Sequence, residues 1–111
     1  MATLVYHSGI EDIVEIGGIL KSIGFEPSST ENPPYEFKKG QSVVMARFYD
    51  AEEVLPESRF KHGRIIAVDG SDEDIMGVSR VLPPDQSKNL DTYSKNEFIK
   101  ELTEIKNSLS A

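Results

Sequence analysis

Seven apolar residues, Ile10, Ile13, Val14, Ile16, Ile19, Leu20 and Ile23, limit the folds open to this chain more than any other feature. On a helical wheel they cover roughly 220°, against the ~100° stripe of a helix that rests one face on a core. Such a helix must be covered on more than one side, by neighbouring elements or by another chain. Its ends are signalled too. Ser8 and Glu11 stand at the capping-box spacing, in which hydroxyl and carboxylate each satisfy a backbone N–H at the helix start, and Gly24 supplies the stop. The pattern predicts a helix over 10–23, preceded by a buried strand over 3–6. Gly17-Gly18 lies inside that helix at a cost of about 1 kcal/mol per glycine relative to alanine, which points to close backbone packing there.

Downstream, Phe25-Glu26-Pro27 suits only a short edge strand, because proline cannot donate to a central ladder. Tyr35 to Lys38 alternates, Lys39-Gly40 supplies a turn and Ser42 to Tyr49 is rich in β-formers, so a hairpin is expected. The unbroken apolar run Val43 to Ala46 places its second arm centrally. A short helical turn is expected over 51–55 before Pro56. Arg64 to Asp69 reads as another buried strand. Ser71 with Asp74 then begins a second helix carrying Ile75, Met76 and Val78. Val81-Leu82 before Pro83-Pro84 suits a last short strand, and Ser94 with Glu97 marks a second capping box. The final helix carries one stripe of Phe98, Ile99, Leu102, Ile105 and Leu109. This order predicts a single α/β domain over 1–111, built on a mixed, mainly parallel sheet flanked by helices with right-handed crossovers. A two-layer α+β sandwich is the alternative.

Composition narrows the chemistry. The chain has 111 residues and no cysteine, which removes disulfide frameworks, thiolate metal sites and cysteine nucleophiles together. No apolar run approaches the ~18 residues of a membrane span, and Met1-Ala2-Thr3-Leu4 lacks the basic and apolar regions of a signal peptide, so a cytoplasmic protein is expected. A net charge of −7 repels phosphate backbones and anionic membranes, which makes nucleic acid an unlikely partner. The one basic stretch, Arg59-Phe60-Lys61-His62-Gly63-Arg64, reads first as a solvated turn before a strand.

Candidate ligand-binding residues come from the strand ends. In open α/β sheets, ligands lie beyond the carboxyl ends of the strands, where helix amino termini also point. If the strands ending at Tyr6, Tyr49 and Asp69 are adjacent and parallel, then His7, Ser8, Gly9, Asp50, Asp69 and Ser71 line one crevice. Each has a local explanation as well: serines cap helices, glycines permit turns and acids favour helix starts. No catalytic residue is assigned. His7 and Ser8 are consecutive, which disfavours a hydrogen bond between their side chains, and no Gly-x-Ser-x-Gly elbow is present. The run Asp69 to Asp74 fails as an EF-hand loop, because Asp74 replaces the required glycine and Arg80 the bidentate glutamate. Neither phosphate-loop nor dinucleotide fingerprint occurs. No metal or cofactor is therefore expected.

The sequence points first to a non-catalytic protein-interaction or regulatory module that self-associates. Its motive is the wide apolar arc of the first helix, together with Phe48, Tyr49 and Phe60. The alternative is a small-ligand or nucleotide-like binding domain, possibly an enzyme, that uses the crevice at the strand carboxyl ends.

Overall fold

A computed structural model describes residues 2–28, 30–50, 62–86, 90 and 92–110. The elements run β1 (Ala2–His7), α1 (Ile13–Ser22), β2 (Glu26–Pro27), β3 (Glu36–Lys39), β4 (Ser42–Asp50), β5 (His62–Gly70), α2 (Asp72–Val81) and α3 (Thr92–Ser110). The strands form one sheet in the order β1-β5-β4-β3-β2. Every neighbouring pair is antiparallel, which corrects the mainly parallel sheet expected above; an α+β sandwich is compatible with this arrangement. The expected turn over 51–55 and the residues Arg59, Phe60 and Lys61 lie outside the described residues.

The misleading signal was the pair of unbroken apolar runs, and the packing explains them. Val44, Ala46, Ile66 and Val68 face one helical layer, while Val43, Met45, Ile65 and Ala67 face the opposite one. An antiparallel strand covered on both faces thus carries the same continuous apolar pattern as a buried parallel strand. The hairpin between β3 and β4 forms where expected, with Gly40 at φ 59° in its turn. β2 is the expected proline-bearing edge.

Helix α1 starts later than the capping-box spacing suggests. Its cap is Asp12, whose side chain accepts from the backbone N–H of Val14 at 2.9 Å and of Glu15 at 3.5 Å. Ser8 is held elsewhere. Its N–H donates to the Arg64 carbonyl at 2.8 Å, and Ser8 forms an antiparallel bridge with Pro84. That bridge keeps the chain extended beyond β1 and delays the helix by a turn. At the other end, Gly24 has φ 97°, Phe25 N–H donates to the Leu20 carbonyl and Gly24 N–H to that of Lys21. This paired arrangement terminates the helix where Gly24 was expected to do so.

The breadth of the apolar arc on α1 is mostly absorbed within the chain. Ile16, Gly17 and Leu20 are buried, and Ile10, Ile13, Ile19 and Ile23 are partly buried against the same core as Val78 and Leu82 of the α2 region. Fully burying a side chain the size of Leu20 stabilises by about 1.5–3 kcal/mol. A Cβ built on Gly17 would meet the Phe37 ring at 3.5 Å, an ordinary van der Waals contact, so the approach of α1 to the sheet does not itself require the glycine. Only Val14, 69% exposed, falls outside this packing.

Helix α2 begins as expected, with the Ser71 hydroxyl accepting from Asp74 N–H at 3.2 Å. Val81 ends α2 and the Leu82 N–H closes it onto the Val78 carbonyl, so no strand forms at Val81-Leu82; the extended pairing comes at Pro84. Helix α3 packs on the opposite face through Phe98 and Leu102, flanked by Ile99 and Ile105. It starts at Thr92, upstream of Ser94, so Ser94 lies inside the helix rather than at its cap. After α2, Pro83 to Asp85 lie against the β1 edge of the sheet.

Candidate functional site

Antiparallel pairing separates the residues expected to share a crevice. His7 lies opposite Ile65, and Ala2 lies opposite Gly70. Asp50 lies opposite His62, and Val43 opposite Asp69. His7, Ser8, Gly9 and Asp50 therefore sit toward one end of the sheet, whereas Asp69 and Ser71 sit at the other. The crevice does not form, because it required the strands to run the same way.

At the first end, His7 and Ser8 are buried and engaged with backbone. The His7 Nδ1 is 3.2 Å from the Ser8 carbonyl oxygen, and the Ser8 hydroxyl accepts from the Ile10 N–H at 3.0 Å. Gly9 N–H donates to the Pro83 carbonyl at 3.1 Å, and the His7 carbonyl accepts from Asp85 N–H at 2.7 Å. Burial pushes the neighbouring Tyr6 phenol well above its ordinary range, and its hydroxyl donates to the Leu82 carbonyl at 2.7 Å. These contacts weld the segment after α2 to the end of β1. Arg64, from the basic stretch, is half-buried and engaged within the chain. Its guanidinium donates to the Glu11 carbonyl and stacks over Phe48 at 5.4 Å. Burial lowers its pKa, opposed by the charges of Glu11 and Asp12.

At the second end the acidic run is divided between the two faces. Asp69 accepts from Thr3 at 2.7 Å and from Lys106 of α3 at 2.5 Å. Burial alone raises its carboxyl, but these two hydrogen bonds and the ammonium charge reverse that and leave it below its ordinary value. Asp74, on α2, accepts from the Ser42 hydroxyl at 2.5 Å, and Lys39 stands 3.6 Å away. The Ser42 hydrogen bond chiefly holds its pKa down, helped by Ser71 and Lys39. Lowering its pKa makes this carboxylate a weaker base, and Ser42 is 2% exposed with its hydroxyl committed to Asp74. Among the described residues, no group of three or more acidic or histidine side chains is placed to hold a metal ion.

Beside Asp74 lies a groove of about 470 Å³, lined by Ile23, Phe25, Lys39, Glu73, Met76 and Arg80 among others. Lys39 sits over the Phe25 ring at 6.0 Å, and Met76 is 58% exposed at the groove. Local motif reading missed this site, since its walls come from the end of α1, a hairpin turn and one face of α2. The spacing of Glu73, Met76 and Arg80 on one helical face was the only available signal.

The two sheet edges differ. The β2 edge is two residues long and carries Glu26 and Pro27, devices that block strand addition. The β1 edge carries neither charge nor proline over Ala2 to Tyr6. Because Ser8 N–H bonds to Arg64 and the register continues along β1, alternation turns Leu4 and Tyr6 toward β5 and directs the N–H and C=O of Thr3 and Val5 outward. Among the described residues, nothing hydrogen-bonds those outward groups. Comparison of the chain with protein-family models, curated proteins and solved structures found no match. Among the described residues, no helix is long and apolar enough to cross a membrane.

Proposed function

We propose that the protein is a non-catalytic interaction module that works by associating with a second copy of itself. The observation that carries this reading is the asymmetry of the sheet edges: one is blunted by Pro27 and Glu26, and the other presents outward backbone groups from a strand without charge. Natural sheets protect such edges or use them for pairing. The wide arc of α1 no longer supplies the motive, since α2 and the sheet absorb most of it. A cytoplasmic setting belongs to the same proposal, supported by the absence of cysteine from the sequence. A net charge of −7 argues for a protein partner over nucleic acid. Sedimentation velocity across a concentration series tests the reading. A monomer–dimer equilibrium is expected, and a strict monomer up to millimolar protein refutes it.

The groove beside Asp74 favours a second reading, a small-ligand binding domain. Lys39 and Arg80 offer cationic contacts in a groove that Glu73 and Asp74 also line, beside the apolar surfaces of Ile23 and the exposed Met76. A thermal-shift screen of small carboxylates and phosphates tests this reading, because a ligand at 100 times its Kd adds about 2.7 kcal/mol of stability. No shift with either class removes it.

A further inference from the structure

We infer that the self-association is an antiparallel pairing of β1 with β1 of a second copy about a two-fold axis at Leu4, joining two five-stranded sheets into one. This rests on the self-association proposed above and names its surface and register.

Three observations lead to that register. First, among the described residues, the outward groups open to a partner belong to Thr3 and Val5, because the next outward carbonyl, that of His7, already accepts from Asp85. The Pro83 to Asp85 segment shows that this edge accepts an antiparallel strand and limits how far along β1 another can lie. Second, an antiparallel partner must set outward residue against outward residue. Thr3 opposite the partner's Val5, and Val5 opposite the partner's Thr3, uses every open group and forms about four inter-chain hydrogen bonds. Centring on Val5 instead requires the His7 carbonyl that Asp85 occupies. Third, the side chains suit their own copies. In this register Leu4 meets Leu4, the small Ala2 meets Tyr6, and Thr3 meets the β-branched Val5 on the other face.

Charge favours the same occupant. A chain with net charge −7 repels its own copy over most of its surface, yet β1 carries no charged side chain. The nearest acid on the strand beside it, Asp69, is paired with Lys106. The edge is therefore a place where two copies meet without facing like charges. Capture at β1 also closes the assembly, because the opposite edge is blocked by Pro27 and a two-fold pairing leaves no further β1 to recruit.

Two variants test the inference against the parent protein. Thr3 is exposed and its N–H points outward, so Thr3→Pro removes a donor twice in the dimer without breaking a backbone hydrogen bond to β5. The bond from its hydroxyl to Asp69 is lost as well, and Thr3→Val, which loses that bond but keeps the N–H, is expected to leave the dimer intact. For Thr3→Pro a dimer dissociation constant raised at least tenfold is expected, with the circular-dichroism spectrum of the parent. Leu4→Cys places the sole thiol of the chain at the axis, where opposite Cα atoms of a non-hydrogen-bonded pair lie about 4.5 Å apart, within disulfide reach. Mild oxidation is expected to cross-link it to a covalent dimer, while Met76→Cys on α2 stays uncross-linked. A parent dimer that survives Thr3→Pro unchanged and leaves Leu4→Cys uncross-linked overturns the β1 interface but keeps self-association. A parent that is monomeric at every concentration overturns both.

Discussion

Ser42 occupies the space that a side chain at Gly70 would need. A Cβ built on Gly70 falls 2.6 Å from the Ser42 Cβ and closer still to its hydroxyl oxygen. The glycine at the end of β5 therefore lets a serine at the start of β4 turn toward Asp74, which ties the sheet to the first turn of α2. Gly70 is thus a steric allowance between neighbouring strands.

Gly70→Ala is expected to destabilise the fold by about 1–3 kcal/mol, the usual cost of overpacking a filled site. Part of the loss comes from displacing the Ser42 hydroxyl from Asp74. In a double-mutant cycle, Ser42→Gly should recover part of the Gly70→Ala loss, because it removes the atoms that collide. Urea denaturation of the single and double variants measures the coupling, and strictly additive losses refute the steric account.

Asp74→Asn is expected to cost about 1.5–3 kcal/mol at neutral pH, the range for a hydrogen bond to a charged group. The sign of its pH dependence follows from the lowered pKa. A carboxyl whose folded pKa lies below its unfolded value adds stability that is complete above about pH 4 and is lost as pH falls through the folded value. The parent should weaken over that acid window, and the Asn variant should weaken less. Asp69, also held low, keeps the slope from vanishing. Melting temperatures from pH 2 to 7 check the difference, and parallel curves for parent and variant count against it.

Asp12→Ala should lower stability by about 1 kcal/mol through loss of the α1 cap. Ser8→Ala should leave the helical start intact, since its hydroxyl serves only the Ile10 N–H. Hydrogen exchange at the Val14 and Glu15 amides separates the two: faster exchange is expected in Asp12→Ala alone. Faster exchange in Ser8→Ala instead would restore Ser8 as the cap.

Those two residues also show why part of the fold was legible and part was not. Ser8 and Glu11, and equally Asp12 and Glu15, stand three apart, so local spacing offers two starts for one helix. The choice between them is made by Pro84, far along the chain, which bridges Ser8 and holds it extended. Where local chemistry suffices, the sequence was readable: Pro27 at an edge, Gly40 in the hairpin turn, Gly24 ending α1 and Ser71 capping α2. Strand direction was not readable, because Ile65 to Val68 look alike whether their neighbours run with them or against them, provided helices cover both faces. The expected crevice depended on that direction, and so its two halves came apart. The groove at Phe25, Lys39 and Arg80 joins three distant segments and leaves no contiguous motif.

β1 also bears on the order of folding. The pairings β2-β3 and β3-β4 close over short stretches of chain, whereas Leu4 meets Val68 only after most of the chain has been made. Loop closure makes such a distant contact slow relative to the hairpin. Until β1 arrives, the apolar flank of β5 from Ile65 to Val68 is itself the open border of the sheet, and it is greasier than β1. The amino-terminal strand is thus a late-arriving shield, exchanging a sticky border for a milder one; a lesion that slows its docking is expected to appear first as aggregation during refolding, before any change in the native melting temperature.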